Sequence, residues 1–243
     1  MRLLFQILLV TIAYPAFAQF TDSTNYFVRY ASTGIVNRTN DNNSYVLNNQ
    51  LRFSVYRKNI SLNTNNAWIF GKQNGSVTNN DFMSTLDFDL YKTKKHLYYW
   101  GLVNYEKSLS LKITNRLQTG LGVGLYLIDR DDFVIQLSDG ILYETSELSA
   151  QEGIAASDYE TFRNSFRLKF RFVFKDAITL DGVDFLLHSV SDRKDYILRS
   201  TTNLSVKLLK WISLTTSVTY NKIRKTGREN FLLNYGLTIE KYF

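Results

Sequence analysis

From Asn25 onward the chain repeats one unit, an alternation of apolar and polar residues followed by a turn. A period of two marks a strand whose two faces meet different surroundings. Twelve such stretches can be read, at residues 25–37, 44–56, 59–70, 80–92, 96–107, 114–128, 132–145, 160–175, 177–190, 195–209, 211–224 and 230–243. A tilted strand crosses a bilayer with about 9–11 residues. Strands in globular proteins usually have about 5–6. Stretches this long and this many suit a membrane barrel better than a soluble sandwich. The expected fold is all-β: a transmembrane antiparallel up-and-down β-barrel of about twelve strands.

The connections support this. Those after the second, fourth, sixth, eighth and tenth stretches are tight: Arg57-Lys58, Thr93-Lys94-Lys95, Asp129-Arg130-Asp131, Lys175-Asp176 and Lys210. The others are mostly longer, with Gly71 to Asn79 and Glu147 to Tyr159 the clearest. Short periplasmic turns opposite longer outer loops are usual in such barrels. An even strand number then places both chain ends on the periplasmic side.

The faces can be assigned on most strands. In the eighth, Phe162, Phe166, Leu168, Phe170, Phe172 and Phe174 alternate with Arg163, Ser165, Arg167, Lys169 and Arg171. The first set suits acyl chains; the second does not, because a cation at the bilayer midplane costs about 2–4 kcal/mol. In the last stretch Phe231, Leu233, Tyr235, Leu237 and Ile239 face outward. In the sixth, Gly120, Gly122 and Gly124 form an inward row that makes room for a bulky neighbour or permits sharp bending. The seventh would place Asp139 among outward apolar residues unless a β-bulge intervenes near Asp139-Gly140. The ninth, residues 177–190, is apolar on both faces and gives no facing.

Composition agrees with a barrel. The chain holds 17 Phe and 16 Tyr, enough for aromatic belts at two interfaces. Its one proline is Pro15, and a chain whose N–H groups nearly all pair across strands has little room for more. The net charge is +7. Residues 1–18, MRLLFQILLVTIAYPAFA, read as a signal peptide: Arg2, an apolar run from Leu3 to Ile12, and a small-x-small site at Ala16-Phe17-Ala18. Cleavage after Ala18 would leave residues 19–243 as a single barrel domain. The chain stops at Tyr242-Phe243, and a terminal aromatic after an alternating strand resembles the signal read by the barrel-assembly machinery, so Phe243 is assigned that role. The expected location is the bacterial outer membrane. The expected partners are its lipid, the assembly machinery during biogenesis and a small solute, with no nucleic acid.

Residues 47–147 resemble the YdiY-like family of outer-membrane proteins, a domain of unknown function. Tyr105-Glu106, Ile113-Thr114-Asn115-Arg116, the run from Gly120 to Asp129, and a following strand with Gly140 and Tyr143-Glu144 carry the resemblance. It implies a barrel and brings no catalytic residues. The glycine spacing lies inside a strand and is not a nucleotide loop.

No enzyme is expected. With no cysteine, thiol catalysis and cysteine-based metal sites are excluded. The histidines are His96 and His188. His188 and Ser189 are neighbours and so lie on opposite strand faces, which argues against a Ser–His pair. Asp181 and Asp184 near His188 suggest a protease rim only weakly. Asp129, Asp131 and Asp132 could recruit calcium but suit a solvated turn better. No metal or cofactor is expected.

What remains is the inward row of charge. Arg52, Arg116, Arg163, Arg167, Lys169, Arg171 and Arg199, with Arg29 and Lys207, are expected inside. So are Asp87, Asp89, Glu106, Glu144 and Glu240. Either a basic wall faces an open lumen and favours anions, or the charges cross-pair and close it. Twelve strands fall between eight, which side chains fill, and sixteen, which leave a channel. The expected function is an outer-membrane barrel acting as a narrow porin-like channel for small, anionic solutes. The alternatives are a non-transporting envelope barrel and, less favoured, a surface hydrolase.

Overall fold

A computed structural model describes residues 25–39, 42–91, 96–150 and 155–242. The expected signal peptide and cleavage site, the turn residues 93–95 and the terminal Phe243 lie outside the described residues.

The chain forms twelve strands: β1 (Tyr26–Arg38), β2 (Asn43–Arg57), β3 (Ile60–Gln73), β4 (Ser76–Tyr91), β5 (Leu97–Ser108), β6 (Ile113–Asp129), β7 (Phe133–Leu148), β8 (Ser157–Phe174), β9 (Ile178–Ser189), β10 (Tyr196–Leu209), β11 (Ile212–Ile223) and β12 (Arg228–Tyr242). Each pairs with its sequence neighbours, and β1 closes on β12 from Phe27↔Tyr242 to Gly34↔Tyr235. The result is a closed antiparallel barrel without a free sheet edge. Closure satisfies the strand backbones inside lipid.

The outer wall is apolar. Leu121, Phe162, Phe166, Phe231, Leu233 and Ile239 are exposed there, Leu121 at 71%. Aromatics gather toward both ends of the outward face. Tyr26, Tyr99, Phe133, Phe172 and Trp211 lie at the end that carries Tyr26 and Tyr242, hereafter the terminal end. Trp68, Phe70, Phe82, Tyr105 and Phe162 lie toward the other, the loop end. This is the girdled outer surface of an outer-membrane barrel.

Three details depart from or complete the sequence reading. The stretch Gly71 to Asn79 is not a long loop. β3 runs to Gln73 and β4 starts at Ser76, joined by Asn74-Gly75 with φ of 50° and 83°. Two residues in the left-handed region make the tight hairpin turn whose twist matches the strands. A register shift between Gly71 and Lys72 accommodates the extension.

No bulge lies at Asp139. Ser138↔Arg167 and Ile141↔Asn164 keep one register. The shifts on β6 fall elsewhere, between Ile113 and Asn115 and between Tyr126 and Ile128. Asp139 therefore does face outward, where its carboxylate accepts a 2.8 Å hydrogen bond from the Asn164 side-chain amide. The unbroken register is what keeps Gly140 inward. A Cβ at Gly122 or Gly140 would strike the Trp100 indole, and one at Gly124 the Tyr98 ring. The inward glycine row does make room for bulky neighbours.

β9 acquires a facing. Leu187 is buried inside with Ile197 and Ile223, and Phe185 packs against that cluster. Leu180, Leu186 and His188 take the outward face, as does Asp184. An apolar cluster of Tyr98, Trp100, Leu102, Leu142 and Leu187 thus occupies part of the lumen.

Candidate functional site in the barrel lumen

The lumen contains two different charge systems. The first is a buried network on the inner wall of β5 to β8. Arg116, Glu144 and Arg163 are each 0% exposed. Arg163 donates to Glu144 through Nε at 2.9 Å and Nη2 at 3.0 Å, and to Asp195 at 2.9 Å. Arg116 donates to Glu106 at 3.2 Å and to Ser146 at 3.2 Å, with Glu144 at 3.7 Å. Tyr159 and Gln118 also donate to Glu144. Arg199, on β10, reaches across the lumen to Glu106. Charges removed from water this completely are tolerated only when paired and hydrogen-bonded.

One layer closer to the terminal end, Arg167 spans from β8 to β4. Its Nη1 donates to both oxygens of Asp87 at 3.0 and 3.1 Å, and its Nε to Ser138 at 3.0 Å. The guanidinium lies 5.1 Å from the Trp100 ring centroid and 5.8 Å from that of Phe185. Asp89 stands 4.0 Å from Arg167, and Lys169 3.5 Å from Asp87.

The second system surrounds a cavity of about 1250 Å³. It reaches from His96 and Asp131 at the terminal end to Ser108 and Asn230 at the loop end. Arg29, Arg52, Lys107, Lys169, Arg171, Arg199 and Lys207 line it, together with Asp81, Asp181, Glu240 and, toward the terminal mouth, Asp129, Asp131, Asp132 and Asp176, while Asp87, Asp89 and Glu106 reach it from the networks. Arg29 crosses to Asp181 at 3.6 Å. Arg52 and Arg171 have no carboxylate within ion-pair distance among the described residues. The remaining wall is neutral and polar, with Asn48, Gln50, Asn63, Asn65, Asn203 and Ser205.

The sequence-expected set is therefore divided. Arg116, Arg163, Arg167 and Glu144 point inward but lie in the buried networks and do not line the cavity. They are not lumen-lining residues in the sense of an open pore. Arg52, Lys169, Arg171, Arg199 and Glu240 do line it. Sequence reading missed Asp195, Tyr159, Gln118 and Asp181 as network or lumen partners. Asp195 lies in the loop before β10, where no periodicity marks it. Asp181 sat on the strand that gave no facing. The neutral wall had a signal, the inward amides Asn63 and Asn65 on the same face as Ser61.

His188 faces outward and Ser189 inward, where Ser189 shares hydrogen bonds with Thr161 and Ser191. Asp181 is inside and Asp184 outside, so they do not form one site with His188. Asp132 pairs with Arg130 at 3.2 Å. Among the described residues no three histidine or acidic side chains form a metal-binding group.

A family model described as a protein of unknown function, DUF481, matches residues 31–233. No curated protein matches the sequence. Among solved structures, the COG4313 outer membrane channel from Pseudomonas putida F1 aligns with a TM-score of 0.51 at 12% identity, over 96% of this chain and 100% of that one. The translocator domain of the autotransporter NalP from Neisseria meningitidis aligns at 0.49 and 11%, over 89% and 87%. A KdgM porin aligns at 0.47 and 13%, over 89% and 99%. At such identities the likeness speaks to the fold.

Proposed function

The chain belongs to the DUF481 family of proteins of unknown function, and on that footing we propose that it is a narrow outer-membrane channel for small solutes. One observation carries the proposal: the cavity of about 1250 Å³ that extends along the lumen from His96 to Asn230. Its size lies just above the roughly 300–1,000 Å³ of small-molecule sites. Charged rings at such constrictions select among ions; Arg52 and Arg171 supply positive charge without a carboxylate partner among the described residues, while Asp129, Asp131, Asp132 and Asp176 line the terminal mouth. The Pseudomonas putida F1 protein of like fold is an outer membrane channel, which is in keeping with this role. The closer likeness to the YdiY-like proteins, export with cleavage after Ala18, and recognition of Phe243 by the assembly machinery belong to the same proposal. So do the periplasmic placement of both chain ends and the absence of catalysis.

The bridging pairs favour a second reading. Arg29–Asp181, Arg167–Asp87 and Arg199–Glu106 cross the lumen between facing walls, as a closed, non-transporting barrel would require. Recordings in planar bilayers separate the two. The channel reading expects small unitary currents that grow when Arg199→Ala or Asp181→Asn removes a bridge. Silence in the wild type and in both variants sinks it in favour of the closed barrel.

A further inference from the structure

We propose that the terminal half of the lumen holds an oxyanion site, in which Arg52 and Arg171 bind the carboxylate or phosphate group of a small solute. The proposal rests on the channel reading for how the solute arrives, but its geometry stands by itself.

The other lumen arginines are committed. Arg116, Arg163, Arg167, Arg199 and Arg29 each have a carboxylate partner. Arg52 does not, although its side chain is held in place. Nε donates to Ser54 at 3.1 Å, Nη2 donates to Asn63 at 3.1 Å, and the guanidinium lies 5.7 Å from the Phe27 ring centroid. The third nitrogen, Nη1, has no hydrogen-bond partner among the described residues, and the residue's exposed surface lines the cavity. A guanidinium fixed by neutral groups with donors to spare is pre-organised for a planar or tetrahedral oxyanion.

Arg52 has a like charge as its nearest strand neighbour, although the cavity wall as a whole carries more acidic than basic side chains. Arg52 is the cross-strand partner of Arg29, and like charges directly opposite destabilise a sheet. Lys169 lies within electrostatic range of Arg52. Arg171 faces the same cavity, and its register neighbour Asp181 turns instead to Arg29 and to Asn203. Tyr242, also on the cavity wall, lies within electrostatic range of both Arg52 and Arg171. Glu240, opposite Arg29 in register, and Asp131 and Asp176 at the terminal mouth are the acids on this wall without an ion pair among the described residues. An entering oxyanion would sit between Arg52 and Arg171, while the neutral Asn63 and Asn65 offer hydrogen bonds to the rest of the solute.

The test is calorimetric titration of the folded, detergent-solubilised full-length protein at low chloride, with malonate in one arm and inorganic phosphate in the other. Binding of either probe is expected, weakened at least tenfold in Arg52→Gln/Arg171→Gln and unchanged in Arg38→Gln at the loop end. Arg52→Lys keeps the charge but loses the fork, and should weaken binding at least threefold. Each protein is first checked for the gel shift on boiling that reports a folded barrel. If Arg52→Gln does not fold, Arg52→Lys and Arg171→Gln carry the test. Absence of binding in both arms overturns the site, as does equal affinity in wild type and variants. Conductance without binding defeats the site and leaves the channel reading standing; binding without conductance does the reverse.

Discussion

The buried network predicts that Glu144→Gln will be among the costliest near-isosteric changes in this chain. Glu144 accepts two hydrogen bonds from Arg163, one from Tyr159 and one from Gln118, and lies 3.7 Å from Arg116. Glutamine keeps the volume and one oxygen. Its amide group, however, must point its own hydrogens at a guanidinium or an amide that is already donating. The charge balance changes as well. Arg116, Arg163 and Arg199, with Lys225 at 3.9 Å from Asp195, now face Glu106, Glu144 and Asp195. Without Glu144 the two remaining carboxylates serve three guanidinium groups, two of them fully buried. Breaking a buried pair costs about 3–5 kcal/mol. Arg116 keeps Glu106 and Arg163 keeps Asp195, so the expected loss is at the lower end, about 3 kcal/mol. Denaturant unfolding in lipid vesicles, followed by tryptophan fluorescence, measures it. Arg171→Gln is the reference: it lines the cavity, breaks no recorded pair, and should cost no more than about 0.5 kcal/mol. If Glu144→Gln is as mild as Arg171→Gln, the division between buried network and accessible cavity is wrong.

Other consequences follow from the two walls. Leu121→Arg, on the outward face of β6, should lose about 2–4 kcal/mol in the same unfolding assay if that face meets lipid; a neutral result would argue for a water-exposed exterior. Gly122→Ala should cost about 1–3 kcal/mol or more by overpacking against the backbone of Asp139 and Gly140 and the Trp100 ring. Gly101→Ala, whose Cβ would come no closer than 3.9 Å to its neighbours, should be tolerated, and equal effects would refute the packing account. Gly75→Ala places a side chain at φ +83° with no atom within 4 Å, so it should cost about 1–2 kcal/mol from backbone conformation alone.

The barrel was legible because its exterior imposes one rule on every strand. Lipid favours apolar residues at every second position, so Phe162, Phe166 and Phe172 on β8 announce their face without help from neighbours. The tight turn at Asn74-Gly75 was misread: the dipeptide has a strong hairpin preference, but the polar run around it reads as a long loop. Asp139 was misread for the opposite reason. The rule for lipid-facing residues was applied to one strand, whereas Asn164 on the adjoining strand supplies the hydrogen bond that lets the carboxylate stay outside. β9 lacked contrast because both of its faces meet apolar groups: lipid on one side, and Ile197 and Ile223 on the other.

The lumen follows no such single-strand rule. Arg163, Arg167, Lys169 and Arg171 look equivalent along β8, yet their fates separate by height. Arg163 meets Glu144 and Asp195, Arg167 meets Asp87, Lys169 shares Asp87, and Arg171 meets no carboxylate at ion-pair distance among the described residues. What distinguishes them is register and strand tilt, which decide whether an acid from β4, β7 or the loop before β10 arrives at the same level. Pairs that cross the lumen add a further condition. Arg29–Asp181 joins β1 to β9, and Arg199–Glu106 joins β10 to β5. Each bridge narrows the passage, but each is also a contact that a charged solute can replace partner for partner, because the solute's own charge compensates the one it displaces. Open and bridged lumens are then not opposite designs. A barrel of this size can hold itself shut with the same side chains that would conduct an ion, and the uncommitted Arg52 and Arg171 mark where that exchange has the least to displace.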